Sequence, residues 1–165
     1  MEATAIGNQV EYTGDPEDLA TLVSKLTSVM EEVQYIKKTG ENTYHGYSYL
    51  TEKDLVEKIR KPLIDENVMI FTSSEEVETQ KNDNITRVRT EHTFVCGDTG
   101  ATVTVQSRGQ GQDDQDKGGY KAITGSMKYF LYKTFLVPAG DDPEQDQYIS
   151  GPQIEKVYKG AKTFG

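Results

Sequence analysis

The chain has 165 residues and a mass of 18.4 kDa, with 35% hydrophobic residues and a mean hydropathy of −0.67. That is enough for one buried core, and no run approaches the roughly 18 apolar residues that a membrane helix requires. Cys96 is the single cysteine, which excludes an intrachain disulfide and a multi-cysteine zinc site, while the net charge of −9 counts at first sight against a polyanionic partner.

Residues 1–18 carry five acids (Glu2, Glu11, Asp15, Glu17, Asp18) and no base, and are expected to form an acidic N-terminal arm before a core over residues 19–140. They lack the basic start and apolar stretch of a signal peptide, which fits a cytoplasmic protein. Asp15-Pro16-Glu17-Asp18 has the composition of a helix start: a capping carboxylate, a proline for the first turn and acids that complement the dipole. Leu19, Leu22, Val23, Leu26, Val29, Met30, Val33 and Ile36 then recur at helical spacing, and Gly40 lies just past the expected end. An aromatic loop, ENTYHGYSYL, leads to a second helix start at Thr51, with Asp54 three residues on in the position of a capping box. Its apolar face runs through Leu55, Val56, Ile59, Leu63 and Ile64, and Pro62 is expected to kink or divide it.

Strands follow. Val68–Ser73 reads as one, ending in the acidic stretch 75–78. Asn84–Cys96 and Ala101–Arg108 flank Gly97-Asp98-Thr99-Gly100, a hairpin turn signal. Setting Cys96 opposite Ala101 puts Phe94 against Val103 and His92 against Val105 on an apolar face. Thr93/Thr104, Glu91/Gln106 and Arg89/Arg108 then share the other face, with Arg87 beside them and Val95 as the apolar exception. Residues 109–119 (GQGQDDQDKGG) read as a flexible loop. A third helix is expected from Tyr120 to Phe135, with Ile123, Met127, Phe130, Leu131 and Phe135 on one side. An acidic linker, 141–149, and a short helix or truncated module, 150–165, close the chain. The fold class is α+β: a three-stranded or slightly larger antiparallel sheet backed by helices.

Catalytic readings find little support. No G-x-x-x-x-G-K-[ST] occurs, so the glycines of 109–119 do not form a phosphate loop. His45 and His92 are the only histidines and lack zinc-ligand spacing, so no cofactor is expected. Asp113, Asp114 and Asp116 leave a metal-dependent nuclease as a distant alternative, although a solvated Gln/Gly loop gives carboxylates no rigid support. Charge is more informative when mapped: the first 18 residues and 141–146 hold nine acids and no base, the whole of the excess. Residues 117–140 carry Lys117, Lys121, Lys128 and Lys133 with no acid, a local field to which a polyanion can respond. An ordinary solvated lysine-rich helix remains an open reading of the same residues. Lys128, Lys133, Lys121 and Lys117 alternate with Tyr129 and Tyr132 in YKAITGSMKYFLYKTF, and Tyr47 and Tyr49 add rings from the aromatic loop. Cations for phosphates and rings for bases are what binding without sequence preference requires. Arg87, Arg89 and Arg108 extend the candidate set.

The segment YKAITGSMKYFLYKTFLVPAGDDPE resembles the signature of Erf-type recombination proteins of phages and prophages, in which an A-x-T-G-[AS]-x-K-Y helix precedes an acidic G-D-D-P-E. YHGYSYLTEKDLVEKIRKPL resembles the family's second element, and the hairpin at CGDTGATVTV is also similar. The resemblance covers about Leu19 to Glu144. It implies a phage-encoded protein that binds single-stranded DNA and anneals complementary strands without ATP, as a ring or helical homo-oligomer, with a single-strand-binding protein or phage exonuclease as a further partner. It also implies that Lys128 contacts phosphate. Tyr129 and Tyr132 stand where the distantly similar eukaryotic annealing proteins tend to place arginine. The competing class is an acidic oligomeric scaffold or decoy that binds host proteins.

Overall fold

The computed structural model describes residues 10–80 and 84–138; the expected acidic linker, 141–149, and the short helix or truncated module, 150–165, lie outside them. Its first helix begins as its composition demands. The Asp15 carboxylate accepts from the backbone N–H groups of Glu17 and Asp18 at 3.0 and 3.1 Å, and Pro16 fills the first turn of α1, Pro16–Glu32. The helix stops four residues short of Ile36. Val33 and Ile36 are nevertheless buried, from an irregular segment that follows Glu32. An i, i+3 spacing of apolar residues therefore continued past a helix end.

α2, Glu52–Asp65, is fixed at its start by a capping box. The Thr51 hydroxyl accepts from the Asp54 N–H at 3.1 Å, and Asp54 Oδ2 accepts from the Thr51 N–H at 2.8 Å. Thr39 donates its hydroxyl to Asp54 Oδ1 at 2.7 Å, tying the segment after α1 to this cap. Burial pushes the Asp54 carboxyl up, but hydrogen bonds from Thr39 and Thr51 outweigh it and hold the group below its ordinary range. Pro62 does not divide the helix. It lies in the last turn, buried, and the α-helical assignment runs through it to Asp65.

The sheet is antiparallel, with four strands in the order β1-β6-β5-β4: β1 is Val10–Thr13, β4 Val68–Gln80, β5 Ile85–Cys96 and β6 Thr102–Gln112. Phe94 pairs with Val103 and His92 with Val105, the register expected from the apolar split. β1 arises within the segment expected to be an arm, its Val10 opposite Val105. β4 runs on through Glu75 and Glu76, which the acidic composition had suggested would end it; antiparallel pairing with β5 continues there, with Glu75 opposite Arg89.

The third helix, α3 (Gly118–Thr134), corrects the reading of 109–119 as a flexible loop. Gly109 and Gly111 belong to β6, and a Cβ at either would collide with backbone atoms of α3: the Ala122 carbonyl oxygen at Gly109, the Gly118 carbonyl oxygen at Gly111. These glycines serve close approach, not mobility. The buried stripe of α3 accordingly passes through Gly118, Ala122, Ser126, Phe130 and Leu131, with the expected Ile123 and Met127 only flanking it.

All three helices cover one face of the sheet. Beneath them Phe94, Phe130 and Phe135 pack with ring centroids 5.5 and 5.9 Å apart, and His92 stacks on Phe130 at 4.1 Å. No helix among the described residues lies on the opposite face. Among the described residues, no helix is long and apolar enough to cross a membrane.

Candidate nucleic-acid interface

Residues 40–49 form a small hairpin, with β2 (Gly40–Asn42) antiparallel to β3 (Tyr47–Tyr49). Tyr47 and Tyr49 alternate along β3, so period two places both rings on one side. Tyr49 lies across Gly40, where a Cβ would strike its ring; glycine is what seats the tyrosine. Tyr44 and His45 continue the series at the tip. Centroid separations are 4.7 Å from Tyr44 to His45 and 6.3 Å both from His45 to Tyr47 and from Tyr47 to Tyr49. The rings are open to solvent, Tyr44 at 89% and Tyr47 at 54%.

The hairpin stands against α3. The Lys128 ammonium lies 5.8 Å from the Tyr49 ring centre and 5.0 Å from that of Tyr129, a cation held between two aromatic faces. Lys128 is half-buried, burial holds its pKa below the ordinary lysine value, and no carboxylate among the described residues offsets the loss of water. Lys133 is exposed and lies 5.2 Å over Tyr132, which is itself half-buried against the core and offers no free face comparable with that of Tyr129.

The remaining expected residues are placed differently. Lys121 is paired with Asp113 and donates to the Gln112 carbonyl at 3.0 Å. That lysine, with the N–H groups of Gln115 and Lys117, draws the Asp113 carboxyl down to about 2. Lys117 is exposed beside this turn, at the start of α3. A cleft of about 540 Å³ opens nearby, but Glu76, Asp113 and Asp116 line it, which suits no polyanion. Arg87, Arg89 and Arg108 lie together on the helix-free face of the sheet, with Arg89 across from Arg108 and 3.4 Å from Glu75. The sheet separates them from Lys128 within one protomer. Lys128, Tyr129, Tyr47 and Tyr49 are thus brought together, Lys133 lies farther along α3, and the arginines form a separate, mixed-charge surface.

The other polar concentration is internal. His92 Nδ1 is 3.0 Å from the Thr72 hydroxyl, and Nε2 is 3.2 Å from those of Thr90 and Ser107; both of these also meet Ser126 of α3. Burial pushes the imidazole down to about 4, so it is neutral at physiological pH. Thr90, His92 and Ser126 are fully buried, so the cluster fastens α3 to the sheet and presents no nucleophile to a substrate.

The sequence groups Tyr44, His45, Tyr47 and Tyr49 in one aromatic loop but yields only Tyr47 and Tyr49 as candidate contacts, leaving out Tyr44 and His45. Asn42 and Gly46 around a tyrosine alternation carried the hairpin signal that would have included them.

The chain matches the profile of the ERF superfamily over residues 22–162. No curated protein matches it significantly. Among solved structures, a peptidoglycan synthetase from Bifidobacterium adolescentis aligns at 16% identity with a TM-score of 0.23. That alignment covers 61% of this chain and 22% of the other, too slight a likeness to bear on fold or function.

Proposed function

This chain belongs to the ERF superfamily, and on that premise we propose that it binds single-stranded DNA and anneals complementary strands without a nucleotide cofactor, in phage recombination. The observation that carries the reading is Lys128, half-buried between Tyr49 and Tyr129 with no carboxylate beside it among the described residues. An ammonium that has lost water without gaining an anion is a poor structural element and a good phosphate receptor. Lys133 supplies a second cation farther along α3. Neutralising phosphates lowers the repulsion between two strands, and base pairing drives the rest. Protomers assemble side by side through the sheet edges, where β1 and β4 each leave one side without a partner strand among the described residues. The arginines of the helix-free face contact DNA only where a neighbouring protomer brings them to the same strand.

The test is annealing of complementary oligonucleotides without ATP over a salt series. The rate should fall steeply as salt rises, and reversing both charges (Lys128→Glu with Lys133→Glu) should abolish it. Absence of annealing, insensitivity to salt, or full activity of the double variant would each refute the reading; the last would point to a protein scaffold.

A further inference from the structure

The hairpin's rings are more exposed and more regularly spaced than a packing role explains. Tyr44, Tyr47 and Tyr49 are 89%, 54% and 41% exposed, and no helix covers them. His45 and Tyr47 lie 19° from parallel with centroids 6.3 Å apart, so two flat faces are presented in nearly the same orientation at an exposed tip. Tyr49 follows with its centroid 6.3 Å from that of Tyr47 but its ring turned 65° from it, and the face of Tyr49 meets Lys128. Flat apolar faces at one end and a cation at the other match the two halves of a nucleotide.

We propose that the β2–β3 hairpin is a stacking ladder in which the near-parallel rings of His45 and Tyr47 stack with one unpaired base, with Tyr49 leading the strand to Lys128. This rests on the single-strand reading above and narrows it to unstacked single strands. A duplex hides its base faces against neighbouring pairs, so the ladder releases a base as it enters a new duplex. Strands that stack poorly on themselves, such as oligo-dT, bind better than self-stacking oligo-dA, because the rings need not compete with neighbouring bases.

The probe is an oligo-dT carrying one 2-aminopurine, whose emission responds to stacking. Wild type should quench it on binding and favour dT over dA. The double variant His45→Leu with Tyr47→Leu should bind dT about tenfold more weakly, leave emission unchanged and lose the dT preference, with the salt slope retained through Lys128. Tyr47→Phe should keep the quench, since the ring and not the hydroxyl acts. Salt-dependent binding by wild type with unchanged emission, or equal quenching by the double variant, would overturn the ladder and leave annealing standing. A double variant with altered oligomeric mass and an intact quench would overturn it in favour of a contact between copies. No binding by wild type would overturn both.

Discussion

Replacing Lys128 with methionine should separate binding from stability. The side chain keeps its apolar stem between Tyr49 and Tyr129 and loses only the charge that burial disfavours. For a lysine whose folded pKa lies below its unfolded value, folding at neutral pH proceeds against the cost of desolvating the ammonium, so the neutral variant escapes that cost. Its Tm should equal or exceed that of wild type. Binding moves the other way. One phosphate contact on a single strand contributes about 0.7 to the slope of log K against log salt, so its loss weakens binding about fivefold at about 0.1 M salt and less than twofold at about 0.5 M. Anisotropy titrations over a salt series, paired with thermal melts, measure both. A variant that melts lower and binds unchanged would show Lys128 to be structural; a defect that stays constant with salt would show that it makes no phosphate contact.

His92 should make stability depend on pH. The folded protein holds the ring neutral to about pH 4, while an unfolded chain protonates it near 6.5, so stability is full above 6.5 and falls as pH drops toward 4. The loss should reach about 2 kcal/mol near pH 5 and about 3 kcal/mol below 4, read by urea denaturation; His92→Gln should flatten the profile, and an unchanged fall in that variant would refute the assignment. Gly109→Ala should lower the urea midpoint by about 1.5 M, because the methyl meets the backbone carbonyl of Ala122 and no rotamer change relieves it; an unchanged midpoint would mean that α3 does not approach β6 so closely.

Much of the fold could be read from local patterning. The register of β5 and β6 followed from one apolar and one polar face, and Asp15 and Thr51 marked helix starts whose caps form as their side-chain chemistry requires. What failed had two meanings in sequence. Gly109 and Gly111 look the same in a mobile loop as under a closely packed helix, and only the partner element distinguishes the cases. Val33 and Ile36 satisfy helical spacing from an irregular segment because what counts there is burial, not period. The interface was legible in its residue types but not in its grouping. Nothing local to Lys128 indicates that Tyr49, some eighty residues earlier, faces it, whereas the strand register already put Arg89 and Arg108 on the polar face of the sheet.

Net charge misleads here for a related reason. Several acids in the described core are already committed to the fold: Asp15 caps α1, Asp54 caps α2, Asp113 holds Lys121, and Asp98 holds Lys25 at 2.7 Å where α1 meets the β5–β6 turn. A carboxylate neutralised by a cap or a paired lysine projects little field, and solvent screens distant charges within about 10 Å at ordinary salt. What a strand would meet is the local surface, and at the hairpin that surface is tyrosine rings around an ammonium with no carboxylate beside it among the described residues. On the proposed reading, an overall charge of −9 acts as long-range repulsion toward a strand, while Lys128 and its rings decide contact. Removing distant acids should speed association and leave the dissociation rate unchanged, whereas altering Lys128 should change dissociation most; the reverse pattern would place recognition in the global field.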